Sequence, residues 1–198
     1  MSESDPLETP AKTSLLGALP NQLTTARLAL SFALFAAIGV QAWLTALLIF
    51  AAAAVTDWLD GYLARGQGLV TSFGRAYDPL VDKILVCGAF IFLLEEPAAG
   101  LAPWMVAVVV VREFLVTGLR GYLEEQGVSF GADQLGKLKM ALQCVAVAWI
   151  LGLLYWFPGL DDSAYPPPLV LRDSLNVAAV LATIASGVNY VRRAWPYL

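Results

Sequence analysis

Four aspartates, Asp57, Asp60, Asp78 and Asp82, stand within the single stretch Thr56–Lys83. Asp57 and Asp60 are three residues apart, and Asp78 and Asp82 are four apart. On helices, both spacings put the two members of a pair on one face. The flanking sequence is apolar, so four uncompensated anions would repel one another and lose hydration at high cost. A bound cation is the direct remedy. Donors that are all oxygen favour hard ions such as magnesium, manganese or calcium, and give zinc neither thiolate nor imidazole. Four carboxylates suffice for two divalent ions, and a two-ion site suits displacement at phosphorus. Gly61 and Ala64, among the acids, leave room for a bulky ligand to approach the backbone. Arg65 adds a fixed positive charge for phosphate at the same mouth. A lone aspartate in such a setting is as readily an interhelical hydrogen-bonding device, but four at these spacings are not explained that way. A carboxylate-lined cation channel or transporter is the non-enzymatic alternative.

The acids need elements that hold them together, and the composition says what kind. Of the 198 residues 59% are hydrophobic and only 14% charged, against about 25% charged in a typical soluble domain. The apolar residues fall in six blocks: Leu23–Gly39, Ala42–Leu63, Ala76–Leu94, Pro103–Tyr122, Leu138–Trp156 and Leu169–Tyr190. Each approaches the ~20 residues a helix needs to cross a bilayer, and Gly- or Pro-bearing breaks separate them. The pattern predicts an all-α integral membrane protein with six transmembrane helices. Residues 1–13 read as a polar tail whose acids argue against a secretory signal, residues 14–198 as one transmembrane domain. A short helix around Ser14–Ala18 is placed flat on the membrane surface. With a cytoplasmic N-terminus, every base except Arg172 falls on the cytoplasmic side, with the C-terminus there too. Asp57 and Asp60 then end the second helix and Asp78 and Asp82 begin the third. The short loop between makes the two helices antiparallel neighbours, with the acids at the cytoplasmic edge.

Absences narrow the chemistry further. The chain has no histidine, which excludes a Ser-His-Asp triad, an imidazole zinc site and a His general base. Proton transfer falls to carboxylates, lysine, tyrosine or cysteine. Cys87 and Cys144 lie inside apolar runs and read as small packing residues rather than a disulfide. The bases cluster at segment ends and form no stripe, which argues against nucleic-acid binding.

The order Asp57, Asp60, Gly61, Ala64, Arg65, Gly74, Asp78, Asp82 resembles, position for position, the D-x2-D-G-x2-A-R-x8-G-x3-D-x3-D signature of the CDP-alcohol phosphotransferases. The family's six-helix architecture agrees with the topology above, so the resemblance covers nearly the whole chain beyond the tail. It implies that Asp57, Asp60, Asp78 and Asp82 bind two divalent cations, magnesium or manganese, and that Asp82 is also the general base for the attacking hydroxyl. It implies donor contacts from Gly61 and Arg65, and from Thr71 as a small hydroxyl of the same pocket. Upstream, Pro20, Asn21, Thr24 and Arg27 match the family's P-N-x-x-T-x-x-R entry, which helps hold the donor nucleotide. Asn21 or Thr24 also serves as a cap for the first helix, a role compatible with ligand contact. A homodimer is implied by the family alone.

The acceptor is read from the bases further along. Arg112 and Arg120 are eight residues apart, two turns along one helix face, and Lys137 and Lys139 open the fifth helix. Arg112 beside Glu113 lies deep enough to favour a bound anion or a salt bridge, while Lys139 is expected to snorkel to the interface as an anchor. A basic pocket beside the metals suits an acceptor with its own phosphate, gripped by Arg112, Arg120 and Lys137. The R-E…L-R run, the following G-K-x-K and the TDW-x-DG form of the motif resemble the branch of the family that makes phosphatidylglycerophosphate. That branch implies CDP-diacylglycerol as donor, sn-glycerol 3-phosphate as acceptor and CMP as the released product; an inner-membrane location is expected from the topology. A sibling enzyme using inositol phosphate, inositol or serine is the alternative.

Overall fold

The computed structural model describes residues 19–67, 72–128, 130, 133–159 and 166–198. Within the helices, the side chains of residues 19–24, 57–67, 72–79 and 82 also lie outside the described set. The tail, the proposed surface helix at 14–18 and Thr71 fall outside it as well.

Every regular element among the described residues is helical. Six long helices run Leu19–Gly39 (α1), Trp43–Gln67 (α2), Ser72–Leu93 (α3), Pro103–Glu125 (α4), Gln134–Trp156 (α5) and Pro167–Ala194 (α6). Short 3₁₀ turns lie at Pro97–Ala99 and Trp195–Tyr197. Pro103 and Pro167 occupy the first helical positions of α4 and α6, where a missing N–H costs nothing. Pro167 and Pro168, read from sequence as loop, are thus the opening turn of α6. Gly127, at φ +75°, closes α4, and the Val128 N–H returns to the Leu123 carbonyl at 2.9 Å.

At one end of the bundle the helices stop within one or two residues of the apolar blocks. At the other end, where the aspartate motif lies, every helix runs about one further turn: α1 starts at Leu19 instead of Leu23, and α5 at Gln134 instead of Leu138. The added turns are polar. Hydropathy marks where apolar surface ends, whereas backbone hydrogen bonding carries the helix on.

The helices close into a ring. α1 packs on both α2 and α3, α2 on α5, α5 on α6, α6 on α4, and α4 on α3, with α3 also touching α5 across the middle. α1 therefore gathers the two acid-bearing helices onto one side. Direct pairing of α2 with α3 at their acid-bearing ends lies outside the described residues. Leu34, Phe50, Leu93, Ile150 and Leu151 fill the interior.

The end opposite the motif is locked by α6. Arg172, buried, gives its Nε–H to Asp173 Oδ1 at 2.7 Å and its Nη1–H to the Ala98 carbonyl at 2.9 Å. Asn176 Nδ2 donates to the carbonyls of Ala99 (3.1 Å) and Gly100 (3.3 Å). Gly100, at φ +64°, leaves no room for a Cβ against Arg172 and Asp173.

The outer surface is apolar. Trp104, Tyr155, Trp156 and Phe157 are exposed at one end, Tyr122, Trp195 and Tyr197 at the other, and Val111, Leu115, Leu181, Ile184 and Val188 between them. On α4 the two aromatic levels, Trp104 and Tyr122, are 18 residues or about 27 Å apart at the α-helical rise, close to the ~30 Å of bilayer hydrocarbon. α5 (Gln134–Trp156) and α6 with its following turn (Pro167–Tyr197) are each long and apolar enough to cross a membrane.

Candidate active site

The four aspartates lie within the apolar blocks of two helices, toward the end of the bundle where those helices run on past the blocks. Asp57 and Asp60, with Gly61 and Arg65, lie toward the end of α2; Asp78 and Asp82 lie in the first half of α3; Asn21 and Thr24 lie inside the first turns of α1, which begins at Leu19, so neither is the cap expected of it. Their side chains lie outside the described residues, so the structure fixes their helices and not their contacts. Among the described residues no cluster of three or more His, Cys, Asp or Glu is arranged to hold a metal. The donor set on α2 and α3 fits hard divalent ions by its chemistry, being four carboxylates at a common end of two helices that α1 gathers.

Beside this stretch of α3 opens a cavity of about 350 Å³ among α3, α4, α5 and α6. Lys83 and Val86 of α3 line it, one and four residues beyond Asp82. Arg112 and Arg120 come from α4, Lys137 and Lys139 from α5. With Lys83 these are five bases, against two lining acids, Glu113 and Asp133. Such an excess of positive charge in a partly desolvated space selects anions. The three bases expected to bind phosphate, Arg112, Arg120 and Lys137, thus share one cavity.

Packing fixes each base differently. Arg112 gives Nη1–H to Glu113 Oε1 at 3.2 Å and Nη2–H to Ser186 Oγ on α6 at 2.7 Å. Its stem lies along Gly187, where a Cβ would approach Arg112 Cγ to 3.1 Å. Arg120 lies over the Tyr190 ring at 5.8 Å. Asp133 is turned toward α6, accepting from Asn189 Nδ2 at 3.1 Å with Arg193 at 4.0 Å. Lys139 departs from expectation. It is buried rather than snorkelling, and its Nζ donates to Glu113 Oε1 at 2.5 Å. The reason is an acid on the neighbouring helix: once Glu113 is inside, a cation there costs less buried than its partner would alone. Sequence reasoning treated Glu113 only as a neighbour of Arg112 and missed Ser186 and Gln143. The available signal was their polarity within otherwise apolar helices.

A second cavity of about 320 Å³ adjoins the first, lined mainly by apolar residues including Ala54 of α2, Leu85 and Val86 of α3, and Met140 and Ala141 of α5. Arg27 of α1, itself buried, and Lys137 are its bases. Val86, Lys137 and Met140 line both spaces. Ala54 lies three residues before Asp57, so the two cavities flank the acid-bearing segments.

Comparison with known proteins gives the family. The family model for CDP-alcohol phosphatidyltransferase matches residues 17–187. The chain is similar to the CDP-diacylglycerol–glycerol-3-phosphate 3-phosphatidyltransferase of Bacillus subtilis, 38% identical over 197 residues, 91% of this chain and 96% of that protein. It is likewise similar to the protein of the same name from Rickettsia felis, 35% identical over 188 residues, 90% of this chain and 96% of that one. Among solved structures, the apo crystal structure of Mycobacterium tuberculosis phosphatidylinositol phosphate synthase superposes with a TM-score of 0.58 at 21% identity, covering 92% of this chain and 95% of that chain. That likeness speaks to the fold alone. Motif, helical ring and matched length converge: this chain is a member of the CDP-alcohol phosphatidyltransferase family of enzymes.

Proposed function

We propose that the protein transfers the phosphatidyl group of CDP-diacylglycerol to sn-glycerol 3-phosphate and releases CMP. The observation that carries the acceptor assignment is the five-base cavity beside the Asp82 stretch of α3; the names of the similar proteins support it. An uncharged or zwitterionic alcohol would leave that charge uncompensated.

Asp57, Asp60, Asp78 and Asp82 would hold two divalent cations, magnesium or manganese, which when bound neutralise charge on the donor's diphosphate. Arg65, Gly61, Asn21, Thr24 and Thr71 hold the cytidine nucleotide. Arg27 and Lys137 hold the phosphate side of the second cavity. Arg112, Arg120 and Lys137 grip the acceptor's phosphate and aim its free hydroxyl at the donor. Asp82 takes the hydroxyl proton as the oxygen bonds the phosphorus that carries diacylglycerol. The bond from that phosphorus to the bridging oxygen breaks, and CMP leaves with it.

The apolar exterior between two aromatic levels supports six spans in a bilayer, with the motif end and both termini at the cytoplasmic face of the inner membrane. The expected homodimer and the tail at 1–13 belong to the same proposal. The test is CMP release from CDP-diacylglycerol by purified protein with magnesium, offering glycerol 3-phosphate and inositol phosphate separately. Turnover with glycerol 3-phosphate alone, lost on chelation, supports the proposal. Turnover with inositol phosphate alone keeps the chemistry and overturns the acceptor.

A further inference from the structure

Gln143 is wholly buried on α5 and lines the basic cavity. Along α5 the lining residues Gly136, Lys139 and Gln143 follow one helix face, which puts Gln143 farthest from the motif end. A neighbour fixes the orientation of its amide. Thr183 Oγ1 donates its proton to the Ala179 carbonyl at 2.6 Å, so only its lone pairs face Gln143. Gln143 Nε2 donates to that oxygen at 3.0 Å. Oε1 therefore turns away from Thr183, and although it is buried it accepts no hydrogen bond from any group among the described residues. A buried carbonyl without a donor is costly enough to require an explanation.

The cavity supplies one. Its lysines and arginines can only donate, so they satisfy a phosphate and offer nothing to a hydroxyl proton. Oε1 of Gln143 offers the opposite. Thr183 and Ser186, which seat Gln143 and Arg112 respectively, are three residues apart on α6, close to one turn. A small phosphate ester spans that separation. We propose that Gln143 Oε1 accepts a hydrogen bond from a non-reacting hydroxyl of the acceptor. This makes the cavity selective for phosphorylated polyols over phosphorylated alcohols that carry only the attacking hydroxyl. The inference rests on the proposed acceptor class; for sn-glycerol 3-phosphate the hydroxyl is that on C2.

The test compares glycerol 3-phosphate with 3-hydroxypropyl phosphate, which keeps the phosphate and a terminal hydroxyl but lacks the C2 hydroxyl. Wild-type protein should prefer glycerol 3-phosphate in kcat/KM by roughly tenfold or more, since a site built around a hydroxyl rejects the analogue without it. Gln143→Met, similar in volume but without the acceptor, should lower kcat/KM for glycerol 3-phosphate and leave that for the analogue unchanged, so the preference collapses. Thr183→Val, which releases the amide, should weaken the preference in the same direction. Equal use of both acceptors by wild type, or an undiminished preference in Gln143→Met, overturns the inference. The wild-type comparison stands even if a variant fails to fold. Silence of wild type with both acceptors overturns instead the acceptor assignment beneath it.

Discussion

The two ends of the helical ring bury similar charged groups and use them differently. At the end opposite the motif, Arg172 has Nε on Asp173 and Nη1 on the Ala98 carbonyl, while Asn176 takes the carbonyls of Ala99 and Gly100. Those donors meet acceptors from the adjoining turn and from Asp173 of α6 itself, and the result is a tied-down loop. At the motif end, Arg112 and Lys139 share one carboxylate, Glu113, and face a cavity with three more bases. Among the described residues that line it, five bases face two acids. A buried arginine is thus no sign of function by itself. The sign is positive charge left over beside a space that an anion can enter.

The contrast can be broken by mutation, because changes at the motif end should fall on turnover and changes at the other end on stability. The largest effect expected is from Asp82→Asn, which should lower the rate of CMP release by about 10²–10⁴-fold if Asp82 is the base. Equilibrium binding of CDP-diacylglycerol should be largely kept, and a near-normal rate would remove Asp82 from that role. Arg172→Met should destabilise the fold by about 2–3 kcal/mol, by stranding the Ala98 carbonyl and removing the ion pair to Asp173. Thermal unfolding in detergent would read this, and the Michaelis constants of the folded fraction should not change. A shift in acceptor KM without loss of stability would dissolve the distinction between the ends.

Arg112→Ala should raise the acceptor KM by about 10- to 100-fold, in line with about 1.5–3 kcal/mol for a hydrogen bond to a charged group. The donor KM should move far less; equal effects on both would mean the acceptor pocket is misplaced. The smallest effect is expected from Ser186→Ala, which removes a neutral partner that aims Arg112. An acceptor KM raised by about 3- to 10-fold with kcat kept would sharpen the comparison. Loss of stability instead would make Ser186 another structural tie like Asn176.

Particular residues show how far the sequence could be read. The six helices were legible because apolar blocks of near-spanning length leave little else to form. Their ends opposite the motif were legible too, since there the apolar surface and the helix stop together. At the motif end, Leu19–Gln22 and Gln134–Gly136 are helical without an apolar block to announce it. Lys139 was misread because its position near a helix end describes an anchor equally well. Only the position of Glu113, 26 residues away, decides that it is buried. Gln143 and Ser186 were passed over because a single polar residue in an apolar helix has no partner visible along the chain.

The sequence alone determined the residue types and their spacing along each helix. Those are local quantities, and they were enough for the aspartate signature, the all-helical architecture, the family and the class of chemistry. Only the tertiary structure decided the order α3–α1–α2–α5–α6–α4 around the ring, and with it which bases converge and which buried polar atoms of the described residues, Gln143 Oε1 among them, are left without a partner. That order comes from packing between surfaces remote in sequence, where shape and burial are shared by two helices and written in neither alone.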